Sequence, residues 1–243
     1  MTRRDAHKTV SRVVAAAARS GRRGLLESEA DRVAAAYGIR VAESALARSG
    51  KEAVLRAKAL GFPVVLKVVS KDILHKSDVG GVKAGVSSAA GVRAAYAEIL
   101  GNVKRAEPEA VVEGILVQRM APRGHEFVAG ATRDPQFGPA VMFGLGGVYV
   151  ELFRDVSFRL APLTKGEALD MMGGTKASRL LAGFRGSPPL DVGAAAETLV
   201  AVGRLITDVP EIDSIDINPL FVYPRGTLAV DVRIVLRKDA KST

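Results

Sequence analysis

Cysteine and tryptophan are both absent from the 243 residues, and the aromatic residues that remain make up only 5%. The lack of cysteine excludes disulfide bonds, a thiolate nucleophile and any metal site with thiolate ligands. It fits a reducing compartment, so we expect a cytoplasmic protein. Lysine and arginine nowhere alternate with aromatic residues, as a surface that stacks nucleic-acid bases would require.

Long apolar runs are also absent. No stretch approaches the ~20 residues that a membrane-spanning helix needs. The N-terminus has no apolar segment followed by a cleavage site, as a secretory signal would have. We therefore expect no contact with a membrane.

Charge is distributed unevenly along the chain. The net charge is +9, but residues 1–24 alone carry +6, which leaves only +3 for the rest. A basic tail of residues 1–22 is more often a solvated or weakly helical extension than a nucleic-acid-binding arm. We expect the former, and no nucleic-acid partner.

Helical and strand patterns mix along the chain without strict alternation. "LLESEADRVAAAYGI" has apolar residues at helical spacing, with Ser28 and Asp31 as a possible cap and Gly38 as a stop. "PVVLKVV" is typical of a buried strand, and the turns at 134–138 and 224–226 predict two hairpins. This mixture predicts a two-lobed α/β or α+β protein.

Lys67 lies inside the apolar strand "PVVLKVV". A lysine in such a strand either extends along the apolar surface to reach solvent or meets an anion, because a buried unpaired ammonium is costly. The following loop, "HKSDVGG", adds Lys76, Ser77 and a glycine pair, Gly80 and Gly81, that allows backbone amides to approach an anion. Together these residues favour a phosphate site.

Two familiar phosphate motifs are missing. There is no G-x-x-x-x-G-K-[ST] and no G-x-G-x-x-G after the first strand, so a Walker loop and a dinucleotide site are excluded. "GLGG" at 144–147 is equally compatible with a tight turn and with an approaching anion. Glu151 and Asp155 follow it.

The segment "EIDSIDINPL" and the later "AVDVR" supply oxygen ligands. Asn218 and Asp231 lie on consecutive strands joined by a turn, so they can face each other, and Asp216 shares a strand face with Asn218. Few protein oxygens, completed by phosphates and waters, suit Mg²⁺. The alternative is a solvent-facing polar edge without metal.

His75 lies in the loop after Lys67. A lone histidine is usually structural or exposed. Beside a phosphate site it can also act as a general base, or as a nucleophile that takes a phosphoryl group onto a ring nitrogen. The pattern alone leaves these roles open.

Four segments carry a family resemblance from about Gly24 to about Leu236: "LLESEADRVAAAYGIRV", "GFPVVLKVVSKDILHKSDVGGVKAGV", "GILVQRMAPRGHEFVAGATRDPQFGPAVMFGLGGVYVELFRDVSFRLAPL" and "EIDSIDINPLFV". The chain resembles the β subunit, the ATP-grasp half, of ADP-forming acyl-CoA synthetases (acetate–CoA ligases). One departure is Lys71, where proline is common in the family.

The resemblance implies an ATP-grasp fold whose two lobes hold the nucleotide between them. It implies a helix within residues 23–39 that packs with the large lobe, a small lobe at 40–116 and a large lobe at 117–243. Residues 1–22 would form the basic tail.

The resemblance also implies residue roles. His75 would be the transiently phosphorylated residue, on a mobile loop with Gly80 and Gly81, and Asp216 or Glu151 would orient it. The implied nucleotide-binding residues are Lys67, Val69, Gly80, Gly81, Gln118, Arg119, Met120 and Glu126. Asn218 and Asp231 would bind Mg²⁺.

The implied reaction interconverts acyl-CoA, ADP and phosphate with carboxylate, CoA and ATP. The resemblance implies that CoA and the acyl group bind to an α subunit carrying CoA-binding and ligase domains, in an α2β2-type hetero-oligomer. Three alternatives stay open: a catalytically silent ATP-grasp module like those fused to protein acetyltransferases, an ATP-grasp ligase that makes an acyl phosphate directly, and a nucleic-acid-binding protein that uses its basic tail.

Overall fold

The computed structural model describes residues 3–73, 75–146, 155–184 and 186–238. Its helices are α1 Arg3–Arg19, α2 Glu27–Ala36, α3 Gly50–Leu60, α4 Ala89–Ala106, α5 Lys165–Gly173, α6 Ser178–Leu181 and α7 Val192–Asp208. Its strands are β1 Ser44–Ala47, β2 Val64–Ser70, β3 Val82–Val86, β4 Val112–Arg119, β5 His125–Asp134, β6 Gly138–Leu145, β7 Val156–Leu160, β8 Ile212–Val222, β9 Thr227–Ala229 and β10 Val232–Leu236. The predicted mixture of helices and strands is confirmed.

The chain divides into two compact units, a smaller one of residues 42–122 and a larger one of residues 1–41 with 123–243. The lobe boundary expected between 116 and 117 therefore falls inside β4. That strand stays paired with β2 as far as Arg119, because its apolar residues continue the same sheet and core. The smaller unit thus keeps the whole of β4.

The smaller unit is a four-stranded antiparallel sheet with the order β1-β4-β2-β3. Helices α3 and α4 cover one face, and each begins at a serine whose hydroxyl accepts a hydrogen bond from the first turn. Such caps satisfy amides that a helix start otherwise leaves unpaired. Ile99 and Val103 of α4 pack against Leu66 and Val68 of β2 in a buried core.

The larger unit is built on a six-stranded sheet with the order β10-β8-β5-β6-β7, in which β9 also pairs with β8. Helices α2, α5 and α7 share its core. Both predicted hairpins are present. In the first, the Asp134 carboxylate accepts hydrogen bonds from the amides of Gln136 and Phe137. In the second, Tyr223 donates from its amide to the Gly226 carbonyl.

The basic tail was expected to be solvated or weakly helical, and that expectation is wrong for most of its length. Residues 3–19 form α1, and its apolar face is buried in the core of the larger unit. The buried residues are Ala6, Val10, Val13, Val14 and Ala17. Their spacing of three and four places them on one side of a helix, while Lys8 and Arg12 stay exposed on the other.

The start of α2 differs from the predicted cap at Ser28 and Asp31. Glu29 reaches back to accept the Leu26 amide hydrogen at 2.9 Å, and Arg22 binds the same carboxylate at 2.7 Å. Burial raises the pKa of Glu29, but the hydrogen bonds from Arg22 and Leu26 outweigh it and hold the pKa below its usual value. Gly38 follows the end of the helix with a φ of 87°, as a helix stop requires.

Over the described ranges, no helix is both long enough and apolar enough to span a bilayer.

Candidate functional site

One face of the smaller sheet carries several of the predicted nucleotide-binding residues. Alternate residues of β2, including Leu66 and Val68, pack into the core with α3 and α4. Lys67 and Val69 therefore lie on the other face. Gln118 pairs with Val65 in the neighbouring strand, so it shares that face. The structure thus places Lys67, Val69 and Gln118 on the same face of the sheet.

Lys67 is unusually buried for a lysine, with only 7% of its surface exposed. Lys67 pairs with Leu116 of β4 on one side and with Val82 of β3 on the other. Val82 follows the glycine pair directly. A buried ammonium contributes a positive charge that water screens only weakly, and such a charge attracts anionic ligands. The prediction of a phosphate site at Lys67 is therefore compatible with its surroundings.

Arg119 and Met120 follow Gln118 but lie differently. Arg119 pairs with Val64, whose side chain belongs to the helix-covered face, and its guanidinium lies 3.1 Å from the Glu43 carboxylate. Met120 donates from its amide to the Pro63 carbonyl, and its side chain is 38% exposed. The structure does not bring the Arg119 side chain to Lys67 and Gln118. Nucleotide binding by Arg119 and Met120 stays a prediction.

His75 is exposed on the segment that joins β2 to β3. The segment closes into tight turns: Asp78 donates from its amide to the His75 carbonyl at 3.2 Å, and Gly80 donates to Ser77 at 3.0 Å. Gly81 donates to the Lys76 carbonyl at 2.7 Å. This leaves the histidine presented to solvent on a compact loop.

The glycine pair shapes the end of the loop that carries His75. The amides of Gly80 and Gly81 both donate within the loop, so here they do not point to an external anion. Gly80 has a φ of 62°, which favours glycine, and a Cβ on Gly81 would lie 2.6 Å from a methyl group of Val68. The glycines allow this end of the loop to pack closely against β2. Their nucleotide-binding role stays a prediction.

The larger unit brings Asp216, Asn218 and Asp231 together. Asn218 lies in a bulge of β8, where one residue of β5 opposes two of β8. Its amide donates to the Asp231 carbonyl at 3.1 Å, across the break between β9 and β10. The prediction that Asn218 and Asp231 face each other is confirmed. Bulges often redirect side chains next to functional sites, and this one holds Asn218 beside Asp231.

Electrostatics at this cluster favour a cation. The surrounding sheet raises the pKa of the Asp216 carboxyl by desolvation, and the Asp231 charge raises it further, while Arg233 opposes them. A bound cation reduces the repulsion between two neighbouring carboxylates.

In the described ranges, no three His, Cys, Asp or Glu residues could together hold a metal ion. Few protein oxygens completed by phosphates and waters suit Mg²⁺, so the residues fit the predicted ion.

The remaining predicted residues give mixed outcomes. Glu126 is exposed on β5, and the alternation of that strand puts it on the same sheet face as Gly130, which pairs with Asp216. Glu151 and Gly147 lie outside the described residues. Asp155 accepts hydrogen bonds from the amides of Lys176 and Ala177, so this carboxylate caps the region of α6.

Two residues that the sequence did not single out hold the His75 segment. The Asp72 carboxylate accepts the Val111 amide hydrogen at 2.9 Å, and the Asn102 side chain donates to the Gly80 carbonyl at 3.1 Å. An asparagine in the middle of a helix has poor intrinsic propensity, which is the signal that could have identified Asn102.

Known proteins resemble this chain closely. A family model of the ATP-grasp domain matches residues 16–236. The beta subunit of acetate–CoA ligase (ADP-forming) I from Pyrococcus furiosus is 47% identical over 219 residues, covering 90% of this chain and 94% of that subunit. Acetate–CoA ligase (ADP-forming) I from Archaeoglobus fulgidus is 50% identical over 204 residues, but these cover 84% of this chain and only 30% of that longer one.

Two solved structures of acetyl-coenzyme A synthetase 1 from Candidatus Korarchaeum cryptofilum also match. One, with coenzyme A, acetyl-coenzyme A and a phosphorylated phosphohistidine segment, is 50% identical with a TM-score of 0.88. The other, with coenzyme A and Mg-AMPPCP, has its phosphohistidine segment pointing towards the nucleotide-binding site and is 47% identical with a TM-score of 0.84. Each match covers 94% of this chain and 100% of the other.

The fold and the matched domain define an ATP-grasp protein. More narrowly, the chain belongs to the family of beta subunits of ADP-forming acetate–CoA ligases, because it aligns with one of them along nearly the full length of both. The family inferred from the sequence is thereby confirmed.

Proposed function

We propose that this chain is the nucleotide-binding β subunit of an ADP-forming acyl-CoA synthetase that works through a phosphohistidine at His75. The observation that carries the proposal is the exposed His75 on a compact, anchored loop directly after the strand of the buried Lys67. Support also comes from the two matched structures, in which a phosphohistidine segment is phosphorylated or points towards the nucleotide site.

Nucleotide binding is assigned to both units. Lys67 supplies a positive charge for the phosphates, and Val69 and Gln118 line the same sheet face. Arg119 and Met120 would border the adenine, and Glu126, a residue of the larger unit, would be a further nucleotide-binding residue. A buried cation contributes more to phosphate binding than an exposed one, because water screens it less.

Asn218 and Asp231 would hold Mg²⁺, with Asp216 beside them. The ion, when bound, neutralises charge on the phosphate oxygens. The chain's own contribution is to hold these oxygen ligands close together through the bulge in β8.

His75 acts as the nucleophile in the nucleotide half of the reaction. The lone pair of an unprotonated ring nitrogen forms a bond to the γ-phosphorus of ATP, while the bond from that phosphorus to the bridging oxygen breaks and ADP leaves with the electron pair. Asp216 or Glu151 would orient the ring. Run backwards, the same step makes ATP.

An α subunit completes the enzyme. It would bind CoA and the acyl group, and exchange the phosphoryl group with His75 in an α2β2-type hetero-oligomer. The relative from Pyrococcus furiosus is named a beta subunit, and the Archaeoglobus fulgidus relative is more than three times as long as the matched segment. Both facts support a division of the reaction between this domain and others.

The test is reconstitution with an α partner. We expect sustained ADP release over many turnovers that requires both CoA and a carboxylate, and its loss in His75→Ala. The matched control is His125→Ala, which removes a histidine at the start of β5. Release of ADP that persists unchanged in His75→Ala would support an ATP-grasp ligase that makes the acyl phosphate directly, and would refute the phosphohistidine route.

A further inference from the structure

The His75 segment is tethered at both ends to the body of the smaller unit. At its beginning, the Asp72 amide donates to the Ser70 hydroxyl, and the Asp72 carboxylate accepts the Val111 amide hydrogen at 2.9 Å. At its end, the Asn102 side chain donates to the Gly80 carbonyl at 3.1 Å. Between these tethers lies the stretch that carries His75.

The Asn102 tether rests on a rigid support. Its helix, α4, is held in the core by Ile99 and Val103, which are almost fully buried on either side of it in sequence. Arg105 donates to the Asn102 side-chain oxygen at 2.6 Å, which turns the amide nitrogen towards Gly80. A Cβ on Gly80 would lie only 2.7 Å from that nitrogen, so the contact is close and specific.

The tethers act on the loop backbone and not on His75 itself. The Val68 amide donates to the Gly81 carbonyl at 2.8 Å, directly after the Asn102 contact, so the loop rejoins the sheet at a fixed point. A segment fixed at both ends holds its histidine within a narrower range of positions. A segment with a loose end samples many positions, and few of them suit attack on a phosphate.

We propose that Asn102 and Asp72 are positioning residues for His75, and that they fix the two ends about which the phosphohistidine segment turns. This inference rests on the proposed function, because it assumes that His75 accepts a phosphoryl group. Neither residue is among those assigned to the nucleotide. Their removal should therefore slow the transfer to His75 and leave nucleotide affinity unchanged.

The experiment measures the rate of His75 phosphorylation in the full chain with Mg²⁺ and γ-labelled ATP, over a range of ATP concentrations. We expect Asn102→Ala and Asp72→Ala to lower the maximal rate about 10- to 100-fold, as small misplacements of reacting groups do. The ATP concentration for half-maximal rate should stay unchanged. Asp72→Asn keeps an oxygen that can accept the Val111 hydrogen, so it should retain most of the rate.

A control in the same helix separates positioning from general stability. Ser88 caps the start of α4 by accepting the Gly91 amide hydrogen, whereas Asn102 lies near the other end of this helix. Ser88→Ala should lower the melting temperature but leave the phosphorylation rate unchanged. A wild-type rate in Asn102→Ala, or an equal loss in Ser88→Ala, would overturn the positioning role while His75 is still labelled in the wild type. A wild-type chain that is not labelled at His75 would refute both this inference and the proposed function.

Discussion

Docking of α1 is the structural feature most open to a quantitative test. Val10 is 1% exposed and Val14 is 4% exposed, both in the core of the larger unit. Changing both to alanine removes four methyl groups, each worth about 0.8 kcal/mol of transfer free energy, so the double variant should lose about 3 kcal/mol. Cavities left behind add to this loss. In a unit of this size, about 1 kcal/mol shifts the melting temperature by about 2–4 °C.

Thermal unfolding followed by circular dichroism is the assay, with Lys8→Ala/Arg12→Ala as the matched control on the exposed face of α1. We expect the valine variant to melt about 6–12 °C lower and the control to melt within a degree or two of wild type. A valine variant that melts like wild type would show that α1 does not contribute to the core. A lower melting temperature only in the control would show that the charged face of α1, and not its valine face, packs against the larger unit.

Three further predictions concern other parts of the fold. Glu29→Gln should lower the melting temperature near neutral pH. Because the pKa of Glu29 is lowered in the folded protein, this difference from wild type should shrink as the pH falls below 4.5 and through the lowered pKa, and a difference that does not depend on pH would contradict the charge interaction with Arg22. Gly81→Ala should destabilise the smaller unit by about 1–3 kcal/mol through its contact with Val68, whereas Gly101→Ala, whose Cβ meets open space within α4, should be neutral or stabilising; equal effects would refute the packing role. Asp231→Asn should reduce the rise in melting temperature that Mg²⁺ with an ATP analogue gives the wild type, measured by differential scanning fluorimetry, and an undiminished rise would remove Asp231 from the metal site.

Local patterns were enough to predict most elements of this fold. The apolar stretch around Lys67, the turn at Asp134 and the turn before Gly226 each depend on residues close together in the chain, and each appears as expected. Asn218 and Asp231 were also predicted correctly to meet, because the short hairpin of β8 and β9 brings the residues after β9 back beside Asn218. Such features need only alternation and turn chemistry.

Partners of individual polar side chains were less predictable than the elements themselves. Arg22 binds the carboxylate of Glu29, and Asn102 reaches a carbonyl 22 residues earlier in the chain. Nothing in the spacing of these residues fixes such partners. The docking of α1 could have been predicted from the helical spacing of its alanines and valines. The high net charge of the segment instead indicated a solvated tail. The charged residues of an amphipathic helix lie on its solvent-exposed face, whereas the apolar residues on the opposite face determine where the helix packs.

In the proposed reaction, His75 carries a phosphoryl group between the nucleotide and the partner subunit. The most direct measurement is mass spectrometry of the full chain after incubation with Mg²⁺ and ATP, under alkaline conditions that preserve a phosphoramidate. We predict one added phosphoryl group on the peptide that contains His75, removed when ADP is added back and absent from His75→Ala. A phosphoryl group on another residue, or none in a chain that binds ATP, would contradict the claim.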